Sequence, residues 1–159
     1  MTDLVLRVVF ETRAHTRALK DGALKIPGVS FDFVEVPRIN MAMAAMADRL
    51  EFDVGEITLV DYLLAMRFGR PLAALPVFVN RNFSHGRIMH HTRSGIREPK
   101  DLEGRRVGVK AYSQTAPVWN RGILATEYGV DLDRVTWVVV QGSHLSQYRD
   151  PPNVVQAPA

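Results

Sequence analysis

The first half of this sequence alternates short apolar runs with segments whose apolar residues recur at helical spacing. Strands that alternate with helices pair in parallel, because each helix carries the chain back across the sheet. The pattern therefore predicts an α/β fold of mainly parallel sheets with flanking helices. The predicted strands are residues 4–10 (expected to be buried), 29–36, 52–54 and 72–79, and the predicted helices are residues 15–25, 37–50 and 58–68.

A second strand and helix are predicted in the other half of the chain. Val107 and Val109 alternate with small or charged neighbours, which is typical of a strand. Thr115 is the expected N-cap of the helix, and Gly129 is expected to end that helix in a left-handed conformation. The apolar run at 135–140 predicts the next parallel strand.

The start of this later helix is a candidate anion-binding site. Backbone N–H groups in a first helical turn lack partners within the helix and carry a partial positive charge, so they attract anions. Ser113, Gln114 and Thr115 lie where these groups converge. The alternative is that the three residues only cap the helix, and the sequence leaves both interpretations open.

Changes in composition divide the chain into four segments. Basic and polar residues interrupt the alternation after residue 80, although Ile88 and Met89 indicate a strand that leaves the first sheet. The last stretch contains three prolines and has no periodicity. The prediction is a partial first α/β lobe at 1–80, a crossover segment at 81–103, part of a second α/β lobe at 104–140, and a loop or tail at 141–159.

Composition and charge exclude several classes of partner and chemistry. The net charge of +3 is spread along the chain without a basic stripe, so we expect no binding of nucleic acid. The absence of cysteine excludes thiolate catalysis and cysteine zinc sites. No apolar run approaches membrane-spanning length, and no secretory signal is visible at the start of the sequence. We therefore expect no membrane partner and a cytoplasmic location, or a periplasmic one if a leader was removed.

Four stretches, in this order, carry a family resemblance. They are residues 52–64, residues 75–88, residues 104–124 with Trp-Asn-Arg-Gly-Ile at 119–123, and Tyr-Arg-Asp-Pro-Pro-Asn at 148–153. Together they resemble the 4,5-dihydroxyphthalate decarboxylase-like proteins, which have the type II periplasmic-binding-protein fold. The resemblance implies two α/β lobes with a small aromatic or other organic acid in the cleft between them.

The chain is considerably shorter than the usual members of that family. Missing strands would leave exposed sheet edges and uncovered apolar surface. We therefore expect a fragment, a truncated gene product, or a homo-oligomer in which a second copy covers the absent elements.

The resemblance implies non-oxidative decarboxylation of a dihydroxylated aromatic carboxylate such as 4,5-dihydroxyphthalate. Loss of carbon dioxide leaves negative charge on a ring carbon. A protein assists by holding the carboxylate, polarising the ring hydroxyls and donating a proton to that carbon. No cofactor is predicted. The alternative is a transporter-linked solute-binding protein, or a truncated remnant of one, that holds a small anion without chemistry.

The candidate site residues follow the carboxyl ends of the predicted strands, where open α/β sheets bind ligands. The predicted catalytic residues are His85 as proton donor, since histidine exchanges protons near neutral pH, together with Arg81 and Glu56. His90 and His91 are adjacent and would point to opposite faces of a strand, so no metal site is assigned. The predicted substrate-binding residues are Glu11, Thr12, Thr58, Arg87, Ser113, Gln114, Thr115 and Trp119.

Several of these candidates have a structural alternative. Glu11 could cap the first helix, and Thr58 could form a capping box with Asp61. His85 could be a surface histidine, and Trp119 could pack between helix and sheet. The sequence alone does not decide between these roles.

Overall fold

Two parallel sheets of three strands each form the framework of the protein, which a computed structural model describes for residues 3–158. The strands are β1 (Leu4–Val9), β2 (Val29–Phe33), β3 (Val54–Gly55), β4 (Arg106–Val109), β5 (Thr136–Val139) and β6 (Val154–Gln156). Their order is β2-β1-β3 in the first sheet and β4-β5-β6 in the second. Neighbouring strands pair in parallel throughout, which confirms the predicted α/β class.

Four α-helices accompany these strands in the described part of the chain. They are α1 (Arg17–Lys20), α2 (Met43–Ala47), α3 (Leu59–Arg67) and α4 (Thr115–Thr126), with 3₁₀ turns at Ile39–Met41, His85–Arg87, Pro99–Leu102 and Leu132–Arg134. The predicted helices at 15–25 and 37–50 are therefore much shorter than expected. Helix α3 follows β3 and helix α4 follows β4, so each of these helices begins near the carboxyl end of a parallel strand. No helix among residues 3–158 is long and apolar enough to cross a membrane.

Helix α4 begins one residue earlier than expected. Gln114 has extended backbone angles and is the N-cap, so Thr115 is the first helical residue rather than the cap. Pro117 fits the first turn because it has no N–H to satisfy. The helix stops before Gly129, whose φ of 61° is the left-handed conformation predicted for it. The amide of Val130 then donates to the carbonyl of Leu124.

The second sheet packs one face against α4 through an apolar core. Trp137, on the central strand β5, is 1% exposed. Burial of such a large aromatic side chain makes it the main contributor of apolar area in this part of the fold. The buried residues that pack around it are Leu102, Leu124, Val130 and Val135.

Strand β1 is buried only over its second half. Val8 and Val9 are 1% and 0% exposed, whereas Leu4 and Val5 at its start are 59% and 64% exposed. The expectation of a fully buried first strand was therefore wrong for its amino end. The buried end is the one that leads toward the carboxyl edge of the first sheet.

Residues 72–79 do not form the predicted fourth strand. Pro71 and Pro76 lack the N–H groups that a strand ladder requires, and the segment pairs with no strand among the described residues. Ile88 and Met89 likewise lie outside any strand. The exposed apolar side chains of this segment are Leu75, Val77 and Phe78.

The carboxyl-terminal stretch is more ordered than the predicted loop or tail. Strand β6 pairs with β5, with Val154 opposite Trp137, so the prediction was wrong at this point. Leu145 is 1% exposed and packs against Ala47 of α2 and Ala65 of α3. The chain therefore returns from β5 to the first sheet and its helices before it forms β6. The proposed division into lobes stays a prediction.

Candidate functional site

The first turns of α3 and α4 contact each other where the two sheets meet. The backbone N–H of Val60, in the first turn of α3, donates a 3.0 Å hydrogen bond to Oγ1 of Thr115, the first residue of α4. Each first turn carries the partial positive charge of a helix N-terminus. The positive ends of two helices therefore lie side by side.

The start of α4 also offers hydrogen-bond donors that have no partner in the described part of the protein. The backbone N–H groups of Thr115 and Ala116 have no acceptor there. Ser113 is 3% exposed, and its buried Oγ is likewise without a partner. Burial of an unsatisfied hydroxyl costs about 1–3 kcal/mol, which a bound acceptor would remove.

Arg121 brings a buried cation to the same end of α4. Its side chain turns back along the helix, and Nη1 donates a 2.8 Å hydrogen bond to the carbonyl of Tyr112, beside Ser113. The guanidinium lies 3.5 Å from the centre of the Tyr112 ring. Arg121 is 8% exposed, yet it forms no ion pair with a carboxylate of the described residues. We call Ser113, Thr115, Ala116 and Arg121 the anion site.

The pKa of Arg121 indicates that its charged form is disfavoured at this buried position. Burial lowers the pKa of its guanidinium, and nearby Tyr112, Tyr148 and Asp150 oppose that effect. Burial in turn raises the pKa of the Asp150 carboxyl, against the influence of Arg121. The pKa of the Tyr148 hydroxyl is also raised, first by burial and then by Asp150. A buried cation with no close counterion is costly, so an incoming carboxylate would be favoured here.

A buried carboxylate and imidazole connect α3 to the chain that follows β5. Asp61 is 0% exposed, and its Oδ2 lies 2.9 Å from Nδ1 of His144, which is 7% exposed. Oδ2 also accepts a 2.8 Å hydrogen bond from Oγ1 of Thr58. The amide nitrogen of Asp61 donates to that same Oγ1. Thr58 therefore caps α3, which is the structural alternative that the sequence offered for this residue. The second oxygen of Asp61 has no partner among the described residues.

Glu56 and Glu11 lie together, as expected for residues at the ends of neighbouring strands. The guanidinium of Arg13 binds Glu56 through two hydrogen bonds of 2.6 and 2.8 Å, and it reaches Glu11 at 2.7 Å. The hydrogen bond with Glu56 raises the pKa of Arg13, although burial opposes the shift. Thr12 is exposed and accepts from Nζ of Lys20.

The predicted basic residues of the crossover segment lie on the surface. Arg81, His85 and Arg87 are exposed. His85 lines a groove of about 240 Å³ with Leu124 and Tyr128, at the far end of α4 from Thr115. Helices rise about 1.5 Å per residue, so the nine positions from 115 to 124 amount to roughly 13 Å. The structure therefore places His85 away from the anion site.

Trp119, His90 and His91 also lie at or near the surface. Trp119 is 54% exposed, so it does not pack between helix and sheet. His90 and His91 contact their own loop. Among residues 3–158, His, Cys, Asp and Glu side chains form no cluster of three that could hold a metal ion.

Sequence reasoning missed Arg121, His144 and Asp150 as candidates. Arg121 and Asp150 lie inside two of the stretches that carry the family resemblance, 119–123 and 148–153. Their position in those stretches was the signal that could have singled them out. His144 had no such signal, because it lies alone in a polar stretch without periodicity.

A comparison with protein families matches residues 52–149 to the NMT1/THI5 like family model. The chain belongs to the NMT1/THI5-like family. The match begins just before Glu56 and includes Asp61, Arg121 and His144. It covers most of the chain, including both helices that meet at the anion site.

Two curated relatives agree with this family and with the resemblance seen in the sequence. The chain is 34% identical over 157 residues to a 4,5-dihydroxyphthalate decarboxylase of Comamonas testosteroni, which covers 97% of this chain and 45% of the relative. It is 32% identical over 160 residues to the protein of the same name from Pseudomonas putida, covering 100% of this chain and 61% of the relative. The chain thus spans about half the length of the curated relatives it matches. The resemblance to 4,5-dihydroxyphthalate decarboxylases is confirmed, and the parallel sheets with flanking helices fit part of a periplasmic-binding-protein-like domain.

Proposed function

We propose that this chain belongs to a decarboxylase that removes carbon dioxide from a dihydroxylated aromatic carboxylate similar to 4,5-dihydroxyphthalate. The observation that carries the proposal is the anion site, where buried Arg121 has no ion-pair partner among the described residues. The unpartnered Oγ of Ser113 and the free N–H groups at the start of α4 support it. The names of the two curated relatives give the reaction class.

The anion site is suited to a carboxylate that remains on the ring. A departing carboxylate becomes neutral carbon dioxide, so strong binding of that group would stabilise the ground state and slow the reaction. A neighbouring carboxylate keeps its charge throughout. We therefore assign the guanidinium of Arg121 and the first-turn N–H groups to the retained carboxylate, which fixes the ring in place.

Two other predicted site residues, Glu56 and Gln114, have proposed places around the ring. Glu56 and Thr58 follow β3 and precede α3, whose first turn touches Thr115. We propose that Glu56 accepts a hydrogen bond from a ring hydroxyl, with Arg13 as its fixed partner. Gln114, as the N-cap of α4, is a proposed contact of the bound acid.

The reaction needs no external oxidant or reductant. The bond between the ring and the carboxyl carbon breaks, and its electron pair stays on the ring carbon. A proton then takes the place of the lost group, so one carboxylate and one proton give one carbon dioxide and a ring C–H.

The alternative function is binding without chemistry, as in a solute-binding protein or a remnant of one. The anion site favours it to the same degree, since holding a carboxylate requires no catalyst. Incubation of the purified chain with 4,5-dihydroxyphthalate, with separate measurement of carbon dioxide and dihydroxybenzoate, distinguishes the two. Release of both products supports the decarboxylase, whereas saturable binding without product selects the alternative. Heat-denatured protein is the control.

We also propose association between copies of the chain, and a cytoplasmic location. The exposed apolar side chains of residues 72–89 support association, because exposed apolar surface is often covered by a partner. Sedimentation velocity would test it, and a single monomeric species at micromolar concentration would contradict it. Fractionation of cells that produce the protein would test the location. The most exposed apolar side chains of this segment are Leu75, Phe78, Phe83 and Met89.

A further inference from the structure

The buried pair of Asp61 and His144 has no part in the anion site, yet it lies next to it. Asp61 is in the first turn of α3, the turn whose Val60 amide contacts Thr115. On the other side, the amide of Gln141 donates a 2.9 Å hydrogen bond to the carbonyl of Lys110, at the end of β4. The chain from Gln141 to His144 therefore borders the loop that leads into α4.

The contacts of the imidazole indicate which of its nitrogens would exchange a proton with a ligand. Nδ1 of His144 faces Oδ2 of Asp61 at 2.9 Å, so that nitrogen carries the proton in the arrangement that satisfies both groups. Nε2 lies 3.3 Å from the side-chain amide nitrogen of Gln141, which can donate to it. Rotation of that amide would present its oxygen instead, so Gln141 can satisfy the ring in either protonation state.

Among the described residues, the charged group in contact with His144 is the carboxylate of Asp61. It is fully buried and held by Thr58, so its position is fixed by α3. A carboxylate in this arrangement fixes the orientation of the imidazole, as in other carboxylate–histidine pairs. His85, by contrast, is exposed and contacts no carboxylate among the described residues.

We infer that Nε2 of His144 donates the proton that replaces the lost carboxyl group, and that Asp61 is the positioning residue for this donor. The inference rests on the proposed decarboxylase function and names the acid that the reaction requires. As the bond to the carboxyl carbon breaks, the electron pair left on the ring carbon takes the proton from Nε2. Solvent then restores the proton to the imidazole.

The test compares His144→Gln with the wild-type chain in the decarboxylation of 4,5-dihydroxyphthalate. General acids contribute about 100-fold or more to rate, so we expect kcat to fall by at least about that factor. KM should stay within about threefold, because the anion site is unchanged. Asp61→Asn should lower kcat less than His144→Gln does, and it should shift the pH profile of kcat. His90→Gln is the matched control, since His90 is exposed and its nearest hydrogen-bond partner lies in its own loop.

A second measurement on the wild-type chain keeps the inference testable if His144→Gln does not fold. The chain is labelled with ¹⁵N-histidine and saturated with phthalate, which lacks the hydroxyl groups of the substrate. We expect the ring-nitrogen signals of His144 to move, since the bound ring would lie against Nε2. No change in those signals would overturn the inference.

The outcomes separate the inference from the function on which it rests. Wild-type turnover with the full kcat retained in folded His144→Gln overturns the role of His144 and leaves the proposed function standing. Loss of activity in His85→Gln, with His144→Gln active, would do the same and return the role to the sequence candidate. No product from the wild-type chain overturns the proposed function and this inference together.

Discussion

Asp61 and His144 are separated by 83 positions in the sequence, and they meet in a buried contact of 2.9 Å between a carboxylate oxygen and Nδ1. One residue belongs to the first turn of α3, and the other follows β5 of the second sheet. The contact therefore joins the two halves of the fold beside the first turn of α3, which also contacts Thr115 of α4. Its energetic weight can be measured without any assay of activity.

Replacement of Asp61 by alanine should strongly destabilise the protein. The change removes the partner of His144 and one end of the hydrogen bond with Thr58. Breaking a buried pair by deleting one member typically costs about 3 kcal/mol, because the other member stays buried and unpaired. The free energy of unfolding from urea titration measures the loss.

The control for this change is Glu127→Ala, which removes an exposed carboxylate at the end of α4. We expect its effect to stay within about 0.5 kcal/mol, as for most surface substitutions. A loss below about 1 kcal/mol for Asp61→Ala would show that the buried pair contributes little to folding.

Thr115→Val tests the contact between the two helices. Valine has nearly the same shape as threonine but cannot accept the hydrogen bond from the Val60 amide. An unsatisfied buried donor of this kind costs about 1 kcal/mol. Thr115→Ser keeps the acceptor and should remain close to wild type in urea titration. Equal stability of the valine and serine variants would contradict the prediction.

Arg121→Gln should weaken binding of aromatic dicarboxylates. The change removes the buried cation of the anion site but keeps a side chain able to donate to the Tyr112 carbonyl. We expect the Kd for phthalate to rise at least about tenfold, which corresponds to about 1.4 kcal/mol. Calorimetric titration measures the Kd. The Kd of Arg121→Lys should lie between those of wild type and Arg121→Gln, because lysine keeps the charge but lacks the planar guanidinium.

The matched control for this substitution is Arg105→Gln. Arg105 is exposed and precedes β4, so it has the same charge and lies away from the start of α4. Its removal should leave the phthalate Kd within about twofold, since exposed charges interact weakly with distant groups. An equal loss of affinity in both variants would mean that net charge, and not the anion site, controls binding.

Two glycines near α4 should respond to alanine in opposite directions. Gly129 has a φ of 61°, a conformation in which a side chain costs about 1 kcal/mol. Gly122 lies within the helix, and an added Cβ there meets no atom within 4 Å. Gly129→Ala should therefore lower the melting temperature, and Gly122→Ala should raise it. Changes of the same sign would contradict this reading of the helix end.

Glu103 should make folding sensitive to acid. The hydrogen bond from the Asp131 amide is the largest of the effects that lower the pKa of its carboxyl, with Lys100 and Arg134 adding to it. A carboxyl whose folded pKa is below its unfolded value adds stability above the unfolded pKa, and that stability is lost as pH falls through the folded value. The stability difference between wild type and Glu103→Gln should thus be constant near neutrality and shrink below about pH 4.3, the ordinary value for glutamate. Urea titrations across this range measure it, and a constant difference would contradict it.

The parts of the fold that sequence reasoning predicted correctly are those in which local pattern and burial agree. The apolar runs of β1, β2, β4 and β5 each pair with parallel neighbours, and the capping pattern at Thr58 precedes α3. The apolar run at 72–79 carried the same pattern but failed, because Pro76 interrupts the ladder and no strand pairs with the run in the described structure. The periodicity of apolar residues indicates that a segment can form a strand, but the strand forms only if a neighbouring strand pairs with it.

The candidate site shows the same limit. The start of α4 was predicted from its turn and helix signals, because an open helix end is a local property. Pairing of Asp61 with His144 depends on the return of the chain after β5, which no local pattern encodes. Arg121 was hidden for a similar reason, since its burial results from the neighbouring Tyr112 and Trp137 rings. His85 was chosen for its chemistry and for its position after a predicted strand, but that strand does not form and His85 is exposed.

The hydrogen bond between Val60 and Thr115 has a practical consequence. A single main-chain amide in one half of the molecule is protected by a side chain from the other half. If the two halves separate, that amide meets solvent while its neighbours within the helix remain bonded, so its deuterium uptake would rise selectively. The rate of exchange at Val60 is thus a built-in measure of how often the first turns of α3 and α4 separate.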